Sequence, residues 1–264
     1  MRVVRTAIFA AALWAVAHGA PIGAQSSAPF RWQGHVIAGN TLEIKGVNGN
    51  IAASGAAGGQ VEVVAEKDAR KSDPESVRIE VVEHGGGVTI CAVYPTPDNA
   101  DRPNECRPGD EGRMQVRDND VNVKFTVRVP AGVRFIGRTV NGEVEAERLD
   151  GPVALRTVNG SATFSTSSYG EATTVNGSIR GDLGRADWSD TLKFDTVNGS
   201  IKLNLPAGLS TEVKARTVNG DISTEFPLTV VGRFSRKQLD GSIGGGGRTL
   251  ELHTVNGGIA LRQR

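Results

Sequence analysis

The side chains best suited to acid–base catalysis are few in this sequence. Beyond the first thirty residues, histidine occurs only at His35, His84 and His253, each in a different stretch of the chain. The sequence contains no HExxH motif, no GxSxG motif and no acidic pair within a distinctive motif. His253 alternates with apolar neighbours, so we expect it on the solvated side of a strand. The sequence therefore predicts no catalytic residue and no cofactor.

Acidic residues suggest calcium binding in two places. One is Asp118-Asn119-Asp120, and the other is the group Asp98, Asp101, Glu105 and Asp110. Calcium takes about six to eight oxygen ligands, often from alternating acidic or amide side chains. Neither stretch matches an EF-hand loop or a GGxGxD array. We therefore predict solvated acidic loops and no metal site.

Two features that would bind phosphate groups are also missing. The stretch Gly244–Arg248, GGGGR, lacks the Lys-Ser/Thr ending of a phosphate-binding loop and is predicted to be a flexible turn. The chain of 264 residues has 30 Lys and Arg against 29 Asp and Glu, a net charge of +1. Because neither sign forms a long run, the sequence predicts no nucleic-acid partner.

The two cysteines, Cys91 and Cys106, flank a stretch rich in proline and charge, residues 94–113. A lone pair this close together predicts a disulfide that closes a loop in an oxidising compartment. Closing such a loop stabilises the fold by about 3 kcal/mol in the chain-entropy model. A redox pair or metal site is the alternative, but it lacks a CxxC spacing and nearby histidines.

Residues 1–24 are predicted to be a secretory signal peptide. Arg2 and Arg5 precede an apolar run from Ala7 to Ala17, and small residues follow up to Ala24, where we expect cleavage. A membrane anchor is the alternative, but the run is far shorter than the roughly 20 residues that span a bilayer. No cysteine follows the run to carry a lipid. We expect an exported protein that is periplasmic, on the outer surface or secreted, with no transmembrane segment after cleavage.

The clearest pattern is a Val-Asn-Gly phrase that occurs seven times. From Val140 onward its copies recur every 16 to 22 residues if Leu239–Ile243 is counted as a degenerate copy, and Leu149-Asp150-Gly151 is a second echo. A period of this length indicates a fold built from repeated structural units, one for each copy. The predicted turn residues are Asn48, Gly49, Asn141, Gly142, Asn159, Gly160, Asn176, Gly177, Asn198, Gly199, Asn219, Gly220, Asn256 and Gly257.

Apolar residues and threonine alternate with polar residues on both sides of each copy. Around Val197, for example, one set is Leu192, Phe194 and Thr196 before the turn and Ile201 and Leu203 after it. A period of two predicts a strand, a two-residue corner and another strand. Asn-Gly suits such a corner because both residues tolerate positive φ.

The alternation fits two all-β folds. In a single-stranded β-solenoid with Asn-Gly corners, the two arms of a copy meet through side chains and each arm pairs with the next copy. Identical residues then form ladders of Val, Thr and Asn, so we predict this fold. The alternative is a two-sheet antiparallel β-sandwich, in which the arms pair as hairpins. In the solenoid we expect Gly257, near the chain end, to lie in the terminal coil.

We expect three segments in the chain. The signal peptide, residues 1–24, precedes an N-terminal β region, residues 25–135, that contains the disulfide loop 94–113. Residues 136–264 form the Val-Asn-Gly repeat solenoid, continuous with the preceding region. Short strands are predicted at 61–64, 77–82, 87–93 and 121–129, as flatter coils or as a cap that covers the open edge of the stack.

The ensemble of motifs resembles a known family. It comprises the signal peptide, KGVNGNI near residue 45, the run VPAGVRFIGRTVNGEVEAERLDGPVALRTVNGSATFS, then TVNGSIKLNLPAG and the terminal LHTVNGGIALRQR. Over residues 30–264 the chain is similar to the bacterial putative-adhesin β-strand-repeat family, a domain-of-unknown-function group. The resemblance implies an exported, solenoid-like envelope protein and brings no catalytic or binding residues.

Two classes of function remain open. The first is a binding or structural protein whose repeated Arg138, Arg156 and Arg216, with Glu143 and Asp221, present a flat surface to a polymer or another protein. The second is a polysaccharide-acting enzyme, which needs a groove of converging charged groups. The sequence has no such cluster, so we predict a non-enzymatic binding protein or scaffold. Its partner is an unidentified protein or glycan at the cell envelope, and its ligand-binding residues are unknown.

Overall fold

A computed structural model describes residues 25–264, so the predicted signal peptide lies outside the described residues. The fold is all-β, with one short 3-10 helix at Pro74–Ser76. No helix in residues 25–264 is long and apolar enough to cross a membrane. The N-terminal strands are β1 (Gln25–Ser26), β2 (Phe30–Gly34), β3 (Thr41–Lys45), β4 (Ile51–Gly55), β5 (Val61–Ala69), β6 (Arg78–His84), β7 (Gly87–Val93) and β8 (Asn122–Val129).

The repeat region supplies the remaining strands. They are β9 (Arg134–Arg138), β10 (Val144–Leu149), β11 (Val153–Arg156), β12 (Ala162–Thr166), β13 (Gly170–Thr173), β14 (Ile179–Leu183), β15 (Leu192–Asn198), β16 (Ile201–Leu205), β17 (Thr211–Asn219), β18 (Ile222–Thr224), β19 (Leu228–Ser235), β20 (Gln238–Ile243), β21 (Thr249–Asn256) and β22 (Ile259–Gln263).

These strands form two large mixed sheets. The first runs β1-β5-β8-β4-β10-β12-β14-β16-β22-β18, with β2 also paired to β5. The second runs β19-β20-β17-β21-β15-β13-β11-β9-β3-β7-β6. The two strands that flank each Val-Asn-Gly copy lie in different sheets, so they do not pair as a hairpin. We call such a pair of strands, with its connecting Val-Asn-Gly, a level.

Neighbouring levels pair in parallel and in register. In the first sheet Ile179 of β14 lies opposite Ile201 of β16, and in the second Ala172 of β13 lies opposite Phe194 of β15. This pairing keeps the inward side chains of one level directly above those of the next. The antiparallel sandwich alternative is therefore wrong for the repeat region.

The spatial order of levels differs from the chain order at the C-terminal end. Strand β21 pairs with both β15 and β17, and β22 pairs with both β16 and β18. The last level of the chain is thus inserted between two earlier ones. The prediction that Gly257 lies in a terminal coil is wrong, because the outermost level is the one that contains Gly220.

Antiparallel strands cover the N-terminal end of the stack in both sheets and the other end in the second sheet. At the N-terminal end, β5 pairs with β8 and β6 pairs with β7, outside the first Val-Asn-Gly level. At the other end, the hairpin β19–β20 pairs with β17. Residues 239–243, interpreted above as a degenerate copy, lie inside strand β20 and form no corner. This arrangement leaves fewer open parallel edges for another chain to pair with.

The core lies between the two sheets and follows the predicted alternation. The rings of Phe164 and Phe194 stack with centroids 6.2 Å apart, and both side chains are fully buried. A Cβ added at Gly170 or Gly181 would lie 2.6 Å from the Phe164 ring, so glycine makes room for that ring. Continuous packing of this kind fixes the spacing of the levels along the stack.

Candidate functional site

The Val-Asn-Gly edge of the stack carries a continuous row of threonine hydrogen bonds, the Thr ladder. In each copy from residue 139 onward, the buried Thr hydroxyl donates to the glycine carbonyl of the neighbouring level at 2.8 to 3.1 Å. These threonines were predicted to face inward, and they do. The members are Thr139, Thr157, Thr174, Thr196, Thr254 and Thr217, in spatial order.

A second row, the Asn ladder, runs along the surface beside it. The side-chain Nδ2 of each Asn after Asn48 donates to the Oδ1 of the Asn in the neighbouring level at 2.7 to 2.9 Å. The ladder uses one of the two N–H donors of each amide. Its members are Asn48, Asn141, Asn159, Asn176, Asn198, Asn256 and Asn219, in spatial order.

Glycine follows each Asn because the levels approach closely. A Cβ at Gly199 would lie 1.9 Å from the carbonyl oxygen of Gly177, and the other copies from residue 142 onward give 1.9 to 2.1 Å. Tolerance of positive φ was the reason predicted for Asn-Gly at these corners. That reason is wrong, since only Gly49 and Gly257 among the fourteen Asn and Gly residues have positive φ. Steric exclusion by the adjacent backbone is the cause.

The valines of the repeat form an exposed row, the Val ridge, next to the Asn ladder. Five of them expose 38 to 51% of their surface, which is high for a β-branched apolar residue. Val47 and Val255, the other two members, are half-buried. The five exposed members are Val140, Val158, Val175, Val197 and Val218.

The disulfide loop folds onto the outer face of the second sheet and is held by a buried carboxylate. Cys91 and Cys106 are bonded, with Cα atoms 5.7 Å apart. Glu43, which is 2% exposed, accepts hydrogen bonds from the Thr89 hydroxyl at 3.1 Å and from the Gly109 amide at 2.8 Å. Alternation predicts an exposed Glu43, because Leu42 and Ile44 face the core. The loop covers it instead.

Basic side chains surround this carboxylate and line a cavity of about 250 Å³. Arg138 Nε lies 2.9 Å from Glu43 Oε1, and Lys45 Nζ donates to the Arg107 carbonyl at 2.5 Å. Burial lowers the pKa of the Lys45 ammonium. A hydrogen bond from Arg138 holds the pKa of Asp110 below its usual range. These ion pairs and hydrogen bonds hold the disulfide loop against the second sheet.

The predicted arginine surface is only partly assembled. Arg138 and Arg156 are cross-strand neighbours, and both form ion pairs with Asp110. Arg216 lies several strands away beside His253, with Thr173 and Asp195 between the two sites. Glu143 and Asp221 likewise lie far apart, with four levels between them. The structure therefore brings together two of the three arginines, and they serve the disulfide loop.

The three histidines remain separate. His35 Nε2 lies 3.3 Å from Gln60 Nε2, and His84 Nε2 lies 3.3 Å from Thr89 Oγ1. His253 is exposed on β21, opposite Asp195 on β15. Burial raises the pKa of the Asp195 carboxyl, and the coulombic effect of His253 opposes this. These positions on different elements do not combine into an acid–base pair.

Several of the acidic residues considered for calcium are engaged by the protein itself. The Asp120 carboxylate accepts backbone hydrogen bonds from Arg70, Lys71 and Ser72 at 2.8 to 3.3 Å. Glu105 pairs with Arg107 at 2.8 Å. Within residues 25–264, no group of three or more His, Cys, Asp or Glu side chains is arranged to hold a metal ion.

The glycine-rich stretch forms the connection between β20 and β21, with positive φ at Gly244, Gly246 and Gly247. Arg248, which follows it, places its guanidinium 6.0 Å from the centroid of the Trp188 ring. The Trp188 Nε1 donates to the Thr249 carbonyl at 3.3 Å. Arg248 and Thr249, directly after the stretch, thus help to position Trp188, which was not among the predicted site residues.

Comparison with family models matches residues 137–262 to the model described as Toastrack DUF4097. The matched residues are therefore similar to a domain of unknown function. This agrees with the resemblance to a domain-of-unknown-function family. The match runs from within β9 to within β22, so it covers every Val-Asn-Gly level except the first. No curated protein matches the sequence.

Several solved structures are similar to the chain at low identity. A putative cell adhesion protein from Clostridium sporogenes ATCC 15579 is 14% identical, with 90% of this chain and 100% of that chain covered and a TM-score of 0.48. A putative adhesin from Bacteroides fragilis NCTC 9343 is 11% identical, with 90% and 98% covered and a TM-score of 0.36. A putative lipid binding protein from Parabacteroides distasonis ATCC 8503 is 11% identical, with 89% and 96% covered and a TM-score of 0.26.

Proposed function

We propose that the protein is an exported binding protein of the bacterial cell envelope, without a catalytic site, whose partner is a protein or a glycan. Its scaffold is a β-solenoid with the Asn-Gly pairs as corners. Export is supported by the apolar run after Arg2 and Arg5 and by the Cys91–Cys106 disulfide, which is typical of oxidising compartments.

The Val ridge is the observation that carries the binding proposal. Single exposed apolar residues are ordinary on protein surfaces and need no explanation. Here, however, valines such as Val158, Val175 and Val197 expose 38 to 40% of their surface at the same position of successive levels. Strand spacing in a sheet repeats about every 4.8 Å, so the ridge presents apolar and amide groups at a fixed interval. A long partner with its own regular repeat would contact several levels at once.

The test measures binding of the full chain, purified after export, to isolated cell envelopes and to a panel of envelope and host-surface glycans. Each mixture is also assayed for product release. The ridge variant Val158→Ser with Val175→Ser should bind about 30-fold more weakly, since each change removes roughly 1 kcal/mol of apolar contact. Ile37→Ser is the matched control, because Ile37 is 75% exposed and lies off the ridge.

Equal binding by the ridge variant and the control would contradict the proposal. Turnover of any panel member by the wild-type chain would instead support the polysaccharide-acting enzyme.

A further inference from the structure

A cavity of about 290 Å³ lies at the edge of the stack opposite the Asn ladder. It forms where the connection 184–191 folds against the starts of β9, β11 and β13. Other connections between the two sheets along this edge are shorter: 130–133, 150–152, 167–169, 206–210 and 225–227. A longer connection in an otherwise regular edge is a common place for a binding site. We call this cavity the Trp188 pocket.

Two aromatic side chains line the Trp188 pocket, although the chain has only two Tyr and three Trp. Trp188 is 2% exposed and is held by its hydrogen bond to Thr249 and by the Arg248 guanidinium on its ring. Tyr169 is half-buried and comes directly before β13. Because Trp188 is almost fully enclosed, the accessible apolar wall is the Tyr169 ring, with its hydroxyl as one polar tip.

Planar polar groups lie on the other side of the pocket. Arg134 Nη2 is 3.9 Å from Glu171 Oε1, a loose ion pair whose side chains are 47% and 34% exposed. Asp190, also lining the pocket, is exposed. A guanidinium and two carboxylates can donate to and accept from adjacent hydroxyl groups in pairs.

We propose that the Trp188 pocket binds one pyranose unit of a glycan. A pyranose combines an apolar C–H face, which suits the Tyr169 ring that Trp188 backs, with adjacent hydroxyls, which suit Arg134, Glu171 and Asp190. Ligand cavities span about 300 to 1,000 Å³, so this one holds a single ring rather than a longer oligosaccharide. Its charged wall disfavours a lipid chain. The inference rests on the proposed binding function and selects its glycan branch.

The probes are the methyl glycosides of glucose, galactose, mannose and N-acetylglucosamine, titrated into the full chain at millimolar concentrations. Saturation-transfer NMR reports contact, and calorimetry gives the Kd. We expect at least one glycoside to bind, with Kd raised tenfold or more by Tyr169→Ala and by Glu171→Gln. Arg128→Gln, on the outer face of the first sheet, is the control and should leave Kd unchanged.

Glu171→Gln replaces a partly exposed carboxylate by its isostere, so it tests the pocket even if Tyr169→Ala fails to fold. Absence of binding by all four glycosides, or equal binding by wild type and Glu171→Gln, would overturn the inference.

The two proposals fail separately. Envelope binding that depends on the Val ridge, with no glycoside bound, would leave the proposed function standing and overturn only the pocket. Glycoside binding with no envelope binding would leave the pocket inference standing and overturn the proposed role of the Val ridge. Polymers of neutral sugars and of N-acetylated sugars are then tested against the same variants. They show which class of glycan supplies the pyranose unit.

Discussion

The two edges of the stack connect the same two sheets but follow different rules. Along the Val-Asn-Gly edge, every connection repeats the same residues and the same side-chain hydrogen bonds. Along the opposite edge, the connections 150–152, 167–169, 184–191 and 206–210 differ in length and sequence, and one of them forms the Trp188 pocket. Along the Val-Asn-Gly edge, the close approach of neighbouring backbones fixes the residue types. Along the opposite edge the residues can vary, so a binding site can form there.

The largest expected effect is a loss of stability when a repeat glycine gains a side chain. In Gly199→Ala the new Cβ would lie 1.9 Å from the Gly177 carbonyl oxygen, so the levels have to separate. We expect a loss of about 3 kcal/mol, near the upper end for overpacking. Gly208, in a connection of the opposite edge, has no atom within 4 Å of an added Cβ. Gly208→Ala should change stability by less than about 0.5 kcal/mol.

Urea unfolding of both variants measures the two losses of stability. The order of levels also predicts how the loss varies with position in the stack. Gly257→Ala should cost as much as Gly199→Ala, because its level is enclosed on both sides. Gly220→Ala should cost less, because the β18 side of its level lies at the edge of the first sheet and can move outward. A smaller loss at Gly257 than at Gly220 would contradict the inserted position of the last level.

A smaller effect is expected from the Asn ladder. Asn176 donates to Asn159 and accepts from Asn198, whereas Asn219, at the end of the ladder, donates to Asn256. Each bond is worth about 1 kcal/mol or less at this exposed site. Asn176→Ala should therefore lower the free energy of unfolding by about 1 to 2 kcal/mol, and Asn219→Ala by roughly half as much. Equal losses in urea titrations would show that the ladder contributes little beyond the backbone pairing.

Much of the repeat could be predicted from the sequence, because period-two alternation is a local property. It correctly gave the inward Thr196 and Thr254, the strand at 87–93 and the absence of hairpins across the corners. The order of levels could not be predicted. Thr254, Asn256 and Gly257 match the corresponding residues of every level except the first, which has Gly46 in place of Thr, so side-chain ladders form equally well in several orders. The Trp188 pocket was missed because its residues come from four separate segments with no shared motif.

The smallest expected effect concerns pH and lies in the region that covers the N-terminal end of the stack. Backbone hydrogen bonds, Ser72 first, lower the pKa of Asp120 to about 2, below the ordinary value of about 3.9. Because the folded-state pKa is depressed, the stabilisation is fully present above the unfolded value and is lost as pH falls from about 4 to about 2. Asp120→Asn should remove this part of the acid sensitivity, and Asp118→Asn, whose side chain is 95% exposed, should not. Denaturant midpoints at pH 5, 4, 3 and 2.5 measure the difference. The amide and hydroxyl ladders contain no group that titrates in this range, so Asn176→Ala should shift all midpoints by a constant amount. A shift for Asp120→Asn that is equally constant with pH would show that its carboxylate adds nothing that the amide cannot supply.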